Sequence, residues 1–173
     1  MNFSIKATIR ALLAPDHRIF CHPERWSTIL GELNRRGEDQ HEAGAFLLGE
    51  PRGDRLVVRE AIYYDELEPA AYSSGVCILH APAFAKLWSI CRERRLSVVA
   101  DVHTHPGAAF QSWSDRDNPM VARQGHIAII VPNFANKPVN MQRLGIFEYV
   151  ADHVWTDRSP AHSSNFLLIT RWI

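Results

Sequence analysis

Apolar residues in this chain come in short, strand-sized runs separated by turns, and that limits what the chain can fold into. The longest pure stretches are Ile127–Val131 and Phe166–Ile169, and no run of 18 apolar residues occurs, so a membrane-spanning helix is not expected. Strands are predicted at Phe3–Leu13, at Glu42–Gly49, and at Arg55–Tyr64 after the turn Pro51-Arg52-Gly53-Asp54. Others are predicted at Ser97–His105, His126–Val131, Met141–Val150 and Phe166–Trp172. Two segments have helical spacing instead. In Pro23–Arg36, Trp26, Ile29, Leu30 and Leu33 share a face, with Pro23 in the first turn and Gly37 at the end. In Pro82–Arg95, Phe84, Leu87, Trp88 and Cys91 do the same. A short helix is predicted to begin at Ser114-Asp115-Arg116-Asp117, with Ser114 as its cap. Residues 65–81 read as a loop with one strand near Val76–Leu79. Strands outnumber helices and the two kinds are interspersed, so the predicted class is α/β, a mixed sheet flanked by helices.

The chain is 173 residues long, a size that one core serves, so a single domain over residues 1–173 is expected. Nineteen basic residues balance nineteen acidic ones, and nothing marks the surface as a partner for nucleic acid or an anionic membrane. The N-terminus alternates polar and apolar residues and lacks the apolar core of a signal peptide. Cys21, Cys77 and Cys91 are an odd, widely spaced set without a C-x-x-C pair, which fits a reducing cytoplasm better than a disulfide framework.

The chemistry is concentrated between Asp101 and Asp117, D-V-H-T-H-P-G-A-A-F-Q-S-W-S-D-R-D. On a strand, alternate side chains share a face, so His103 and His105 point the same way, and Pro106 stops the ladder just beyond them. Two such imidazoles and one carboxylate leave a coordination position open, the usual composition of a catalytic zinc centre. Asp117 is the choice for the carboxylate, with Ser114 one helical turn before it. Asp101, on the same strand face as both histidines, is a rival ligand or a group that orients a ring from behind. Glu42 stands directly before a buried apolar strand and can reach inward as a general base. His41-Glu42 does not begin a helical H-E-x-x-H signature, because position 45 is Ala45. Trp113 and Phe110 fall at the mouth of such a site, where they either grip a substrate or pack under the loop.

These residues resemble the signature of the JAB/JAMM (MPN+) metallopeptidases. The resemblance lies in His103-x-His105-Pro106, seven residues, then Ser114-x-x-Asp117, with Glu42 ahead of Ala-Gly-Ala-Phe-Leu-Leu-Gly. It covers about Pro23 to Val131. It implies a cytidine-deaminase-like α/β fold with a curved mixed sheet, and one Zn²⁺ held by His103, His105 and Asp117. Asp117 prevails over Asp101 on that basis, because the family's position before its first histidine is not a ligand. Glu42 would be the general base toward the zinc-bound water, and Ser114 the hydrogen-bond donor to the oxyanion.

The implied reaction is hydrolysis of an amide or isopeptide bond after the C-terminus of a ubiquitin-like protein. Compact relatives of this kind are bacterial or archaeal. Some accompany activating- and conjugating-like enzymes, including those of antiphage systems, and others process sulfur-carrier proteins. A metal-free scaffold of the same fold is disfavoured, because the zinc set has every member. The substrate tail is expected to lie as an added strand near residues 65–81.

Overall fold

A computed structural model of the chain describes residues 18–53, 55–161 and 166–172, and over these the apolar runs become strands of one sheet. In chain order the elements are β1 (Ile19–Cys21), α1 (Pro23–Gly37), β2 (Gly44–Arg52), β3 (Arg55–Tyr63), α2 (Tyr64–Leu67), α3 (Ala81–Arg94) and β4 (Ser97–Thr104). They continue with α4 (Trp113–Asp117), β5 (Ile127–Val131), β6 (Gly145–Ala151), β7 (Val154–Asp157) and β8 (Leu167–Ile169). The spatial order is β7-β6-β5-β4-β2-β3-β1-β8. β4 runs parallel to β5, and β1 runs parallel to β3 and β8, while the other neighbours are antiparallel. The sheet is therefore mixed, as the interspersed strands and helices predict. Among the described residues no helix is long and apolar enough to cross a membrane. The strand predicted at Phe3–Leu13 lies outside the described residues.

The centre of the sheet is dry on both faces. Gly44–Gly49 of β2, Val98–Thr104 of β4 and all of β5 are buried, which explains why these segments are continuous rather than alternating in sequence. β2 carries register shifts against both neighbours, at Leu48/Gly49 and Leu47/Leu48, and such irregularities bend a strand. Gly49 is required there, since a Cβ would stand 2.0 Å from the Val57 carbonyl oxygen.

Several elements depart from the sequence reading. α1 buries Trp26, Ile29, Leu30 and Leu33, but Gly37 is its last residue and Glu38 takes the left-handed position, with its N–H on the Asn34 carbonyl. α3 buries Ala83, Leu87 and Cys91, a strict i, i+4 row, and that row turns Trp88 outward to 39 % exposure. The predicted strand at Met141–Val150 begins only at Gly145, after a 3-10 turn at Met141–Arg143, and β7 was not expected at all. Residues 76–79 join no ladder, so the strand predicted near Val76–Leu79 is not formed.

The parallel pairing of β4 with β5 forces a long return. Residues 105–126 must carry the chain back across the sheet, and this crossover holds Pro106 and α4. The β6–β7 hairpin clamps it. The Trp155 indole N–H donates to the Arg116 carbonyl at 3.3 Å, and His153 Nδ1 approaches the same oxygen at 3.3 Å.

Candidate metal centre

His103 is the penultimate residue of β4 and His105 follows its last, so both rings leave the sheet where the ladder ends. Their Nε2 atoms are 3.1 Å apart and both residues are buried, at 6 % and 4 % exposure. The third donor comes from the crossover and is Asp115. Its Oδ1 lies 3.4 Å from His103 Nε2 and its Oδ2 lies 3.3 Å from His105 Nε2. Two ligand atoms on one tetrahedral ion at about 2.0–2.1 Å are separated by roughly 3.3 Å. The separation of the two imidazole nitrogens is near that edge length, each imidazole has one Asp115 oxygen at a similar distance, and one donor atom from each residue falls within 4.8 Å of the others. These residues could hold a metal ion.

Asp117, chosen from the sequence, is not at the centre. It is the exposed last residue of α4, and Ser114 is exposed as well. The reason is the helix cap. Ser112, not Ser114, is the N-cap: its Oγ accepts from the Asp115 N–H, and the Asp115 carboxylate accepts from the Ser112 N–H at 2.7 Å. That reciprocal pair starts the helix two residues earlier and turns the Asp115 carboxylate toward the imidazoles. The sequence S-W-S-D-R-D holds two overlapping S-x-x-D frames, each with an aspartate at the third helical position, and the earlier one forms the cap. The sequence pattern alone does not separate the two frames.

Glu42 is brought to the same place by sheet register. Gly44 pairs with His103 across the antiparallel β2–β4 ladder, so two residues outward Glu42 faces His105, and its Oε1 is 3.7 Å from His105 Nε2. Thr104, between the histidines, locks this strand end. The Ala43 N–H donates to Thr104 Oγ1 at 3.0 Å, and the Thr104 N–H donates to the Ala43 carbonyl at 2.9 Å.

Asp101 lies on the Nδ1 side of the His103 ring. Its Oδ1 accepts from His126 Nε2 at 2.6 Å, and its Oδ2 faces His103 Nδ1 at 3.8 Å and the Tyr64 hydroxyl at 3.5 Å. A carboxylate in that place orients the ring whose other nitrogen binds metal. His126, read from the sequence as unrelated to the motif, is thus part of the support. Tyr64 reaches Asp101 only because residue 44 is glycine, where a Cβ would stand 2.2 Å from its ring.

Charge in the cluster is mutually stabilised. Burial works to lower the His103 imidazole, but the Asp101 and Asp115 carboxylates outweigh it and raise its pKa to about 10. Burial works to raise Asp115, yet His103 and His105 hold it well below the usual carboxylate range. Glu42 goes the other way. Its burial, with a contribution from the Asp115 charge, raises it above the ordinary value despite the two imidazoles.

Beside the cluster opens a cavity of about 660 Å³. Asp101, His103 and Glu42 form one wall, and Ala128 and Ile130 of β5 continue it. Trp113, 81 % exposed, and Phe110, 62 % exposed, stand on the crossover, with the Phe110 ring edge-on to His105 at 5.7 Å.

The fold and the donor set define a class. Residues 29–145 match the prokaryotic homologues of the JAB domain, and the chain belongs to that family. The match spans Glu42, both histidines and Asp115. Over 145 residues the chain is 26 % identical to the "Probable metalloprotease y4jG" of Sinorhizobium fredii, covering 83 % of this chain and 89 % of that protein. The solution structure of protein DSY2949 from Desulfitobacterium hafniense shares the fold, with a TM-score of 0.58 at 14 % identity over 88 % of this chain and 92 % of that one. Family membership and the clustered donors together support a metallohydrolase.

Proposed function

We propose that this protein is a zinc-dependent (iso)peptidase that cuts after the C-terminus of a ubiquitin-like protein. It would act in precursor processing or deconjugation alongside activating- and conjugating-like enzymes. The observation that carries the reading is the convergence of His103, His105 and Asp115 with a buried carboxylate, Glu42, 3.7 Å from one imidazole. Two imidazoles and one carboxylate suit zinc among the common divalent ions, and they leave a position open. A zinc ion held by these three side chains would supply Lewis acidity toward the scissile carbonyl and make water a better nucleophile.

The chain's own residues do the rest. Glu42, raised by burial, accepts a proton from the attacking water and returns it to the leaving amine. The Ser112 hydroxyl already accepts from the Asp115 N–H, so its own proton is free to donate to the oxyanion of the tetrahedral intermediate. Asp101, held by His126, faces His103 Nδ1 at 3.8 Å and favours the ring orientation that presents Nε2 to the centre. Pro106 and the cap of α4 keep the crossover from drifting off the histidines.

The test is incubation of the purified protein with fusions of ubiquitin-like modifiers, with and without a chelator, and mass mapping of the products. One cut at the modifier's C-terminus is expected, abolished by chelation and restored by zinc. Cleavage that survives complete metal removal would overturn the reading.

A further inference from the structure

Just past the end of β5, Asn133, Phe134 and Ala135 all take positive φ, at 54°, 51° and 59°, and none of them is glycine. L-residues visit this region as single residues, because Cβ crowds the following carbonyl, and a run of three is destabilising. Such a run persists only where its surroundings over-determine it. Here the bonds that hold it lead to the metal centre.

His105 stands one residue past the last pair of the β4–β5 ladder, Thr104 opposite Val131. Its N–H still donates to the Val131 carbonyl at 2.9 Å. A regular parallel ladder would next bring the Asn133 N–H to the His105 carbonyl. The left-handed turn instead brings the Phe134 N–H there, at 2.8 Å, and sends the Asn133 N–H to the Gly107 carbonyl at 3.0 Å. Successive N–H groups of a strand point to opposite sides, so a coiled backbone is needed to aim both at one segment. The turn thus grips the chain on both sides of Pro106, which has no N–H of its own. Beyond that grip, residues 106–108 and Phe110 are exposed.

The turn is pinned in its own place by α1. Asn34 Nδ2 donates to the Phe134 carbonyl at 3.1 Å, and lies 2.9 Å from Asp39 Oδ1 and 3.3 Å from Asn136 Oδ1. The two imidazoles are therefore supported differently. His103 has Asp101 facing its Nδ1, whereas among the described residues the polar contacts of the His105 ring are all made at Nε2, to His103, Glu42 and Asp115. What the fold holds of His105 is its main chain.

We propose that Asn34 and the left-handed turn Asn133–Ala135 are positioning elements for His105, fixing its main chain so that its ring meets the ion together with His103 and Asp115. The inference rests on the metal-binding reading and is independent of the reaction and its substrate. The strain of three positive φ angles is what lets two neighbouring N–H groups reach the carbonyls of His105 and Gly107, and the Asn34 amide keeps the turn from relaxing.

The experiment compares the wild-type protein with Asn34→Ala and with the double variant Asn34→Ala, Ala135→Gly. Zinc affinity is measured by chelator competition, the visible bands of the Co²⁺-loaded protein report the ligand geometry, and the melting temperature of the metal-free protein is the control for folding. Alanine suits a helix, so Asn34→Ala should fold with little change in melting temperature. Its zinc affinity should fall by about tenfold, with altered Co²⁺ bands. Glycine takes positive φ freely, so Ala135→Gly should restore most of that affinity by keeping the turn in shape without its latch. Unchanged affinity and bands in Asn34→Ala would overturn the proposal. So would a fall in affinity with wild-type bands, the mark of a smaller folded fraction rather than a displaced ring. Wild-type protein that binds neither ion would instead remove the metal-binding reading itself, so the two fail separately.

Discussion

Strand β4 and the crossover that follows it deliver candidate metal donors to one point by opposite means. His103 and His105 are placed by a ladder paired on both sides, with β2 in antiparallel register and β5 in parallel register. Asp115 sits on a five-residue helix with no buried residue, placed by one reciprocal cap and a clamp from the β6–β7 hairpin. A ladder spreads position over many bonds, and a side chain on it points where the pleat dictates. A capped turn depends on which residue caps, and a shift of two residues delivers a different carboxylate. The strand pair was therefore legible, whereas the carboxylate that the fold brings to it is Asp115 and not the expected Asp117.

The sharpest break of that comparison sets Asp115→Ala against Asp117→Ala. We expect Asp115→Ala to lose bound metal, with affinity falling by more than the ~10–100-fold typical of outer-shell losses. Asp117→Ala should keep one equivalent by elemental analysis, because it is an exposed surface residue. Metal loss in the Asp117 variant alone would return the ligand to the later frame. Next comes the serine. Ser112→Ala should slow turnover by about 10²–10³-fold through the missing oxyanion donor and cost about 1 kcal/mol of stability through the missing cap. Ser114→Ala should move neither kcat nor the melting temperature.

On the strand side, Asp101→Asn should weaken metal binding by ~10–100-fold in a chelator competition, with the fold intact. An unchanged affinity would show that the ladder alone orients His103. The smallest effect is a pH slope. His103 is raised to about 10, so in the metal-free protein it is protonated at neutral pH and must release that proton to bind metal. Affinity should therefore rise with pH, by up to about tenfold per unit, and level off above the raised pKa. In Asp101→Asn, which removes one of the two carboxylates holding that proton, the levelling should move to lower pH.

Gly44 shows how deep some of the support lies. It is one of several small residues in an apolar run, and its sequence neighbourhood gives no hint of Tyr64, twenty positions on. Only the folded sheet brings the Tyr64 ring over it and the hydroxyl to Asp101. His126 is similar: it lies twenty-five residues from Asp101, and the parallel β4–β5 pairing makes them partners.

The amino-acid sequence alone determined the mixed sheet, the two main helices, the pair of imidazoles and the glutamate ahead of a buried strand. Each of these follows from local periodicity or from residue type at close spacing. Tertiary structure alone decided which serine caps α4, which aspartate faces the histidines, and that Asp101 and His126 stand behind them. It also decided that Gln111 is buried beside a cavity. The physical reason is one of range. Pleat and helical repeat act over a few residues, whereas the cap frame, the register of β5 and the hydrogen bonds around the cavity are set by segments that meet only after the chain has crossed the sheet.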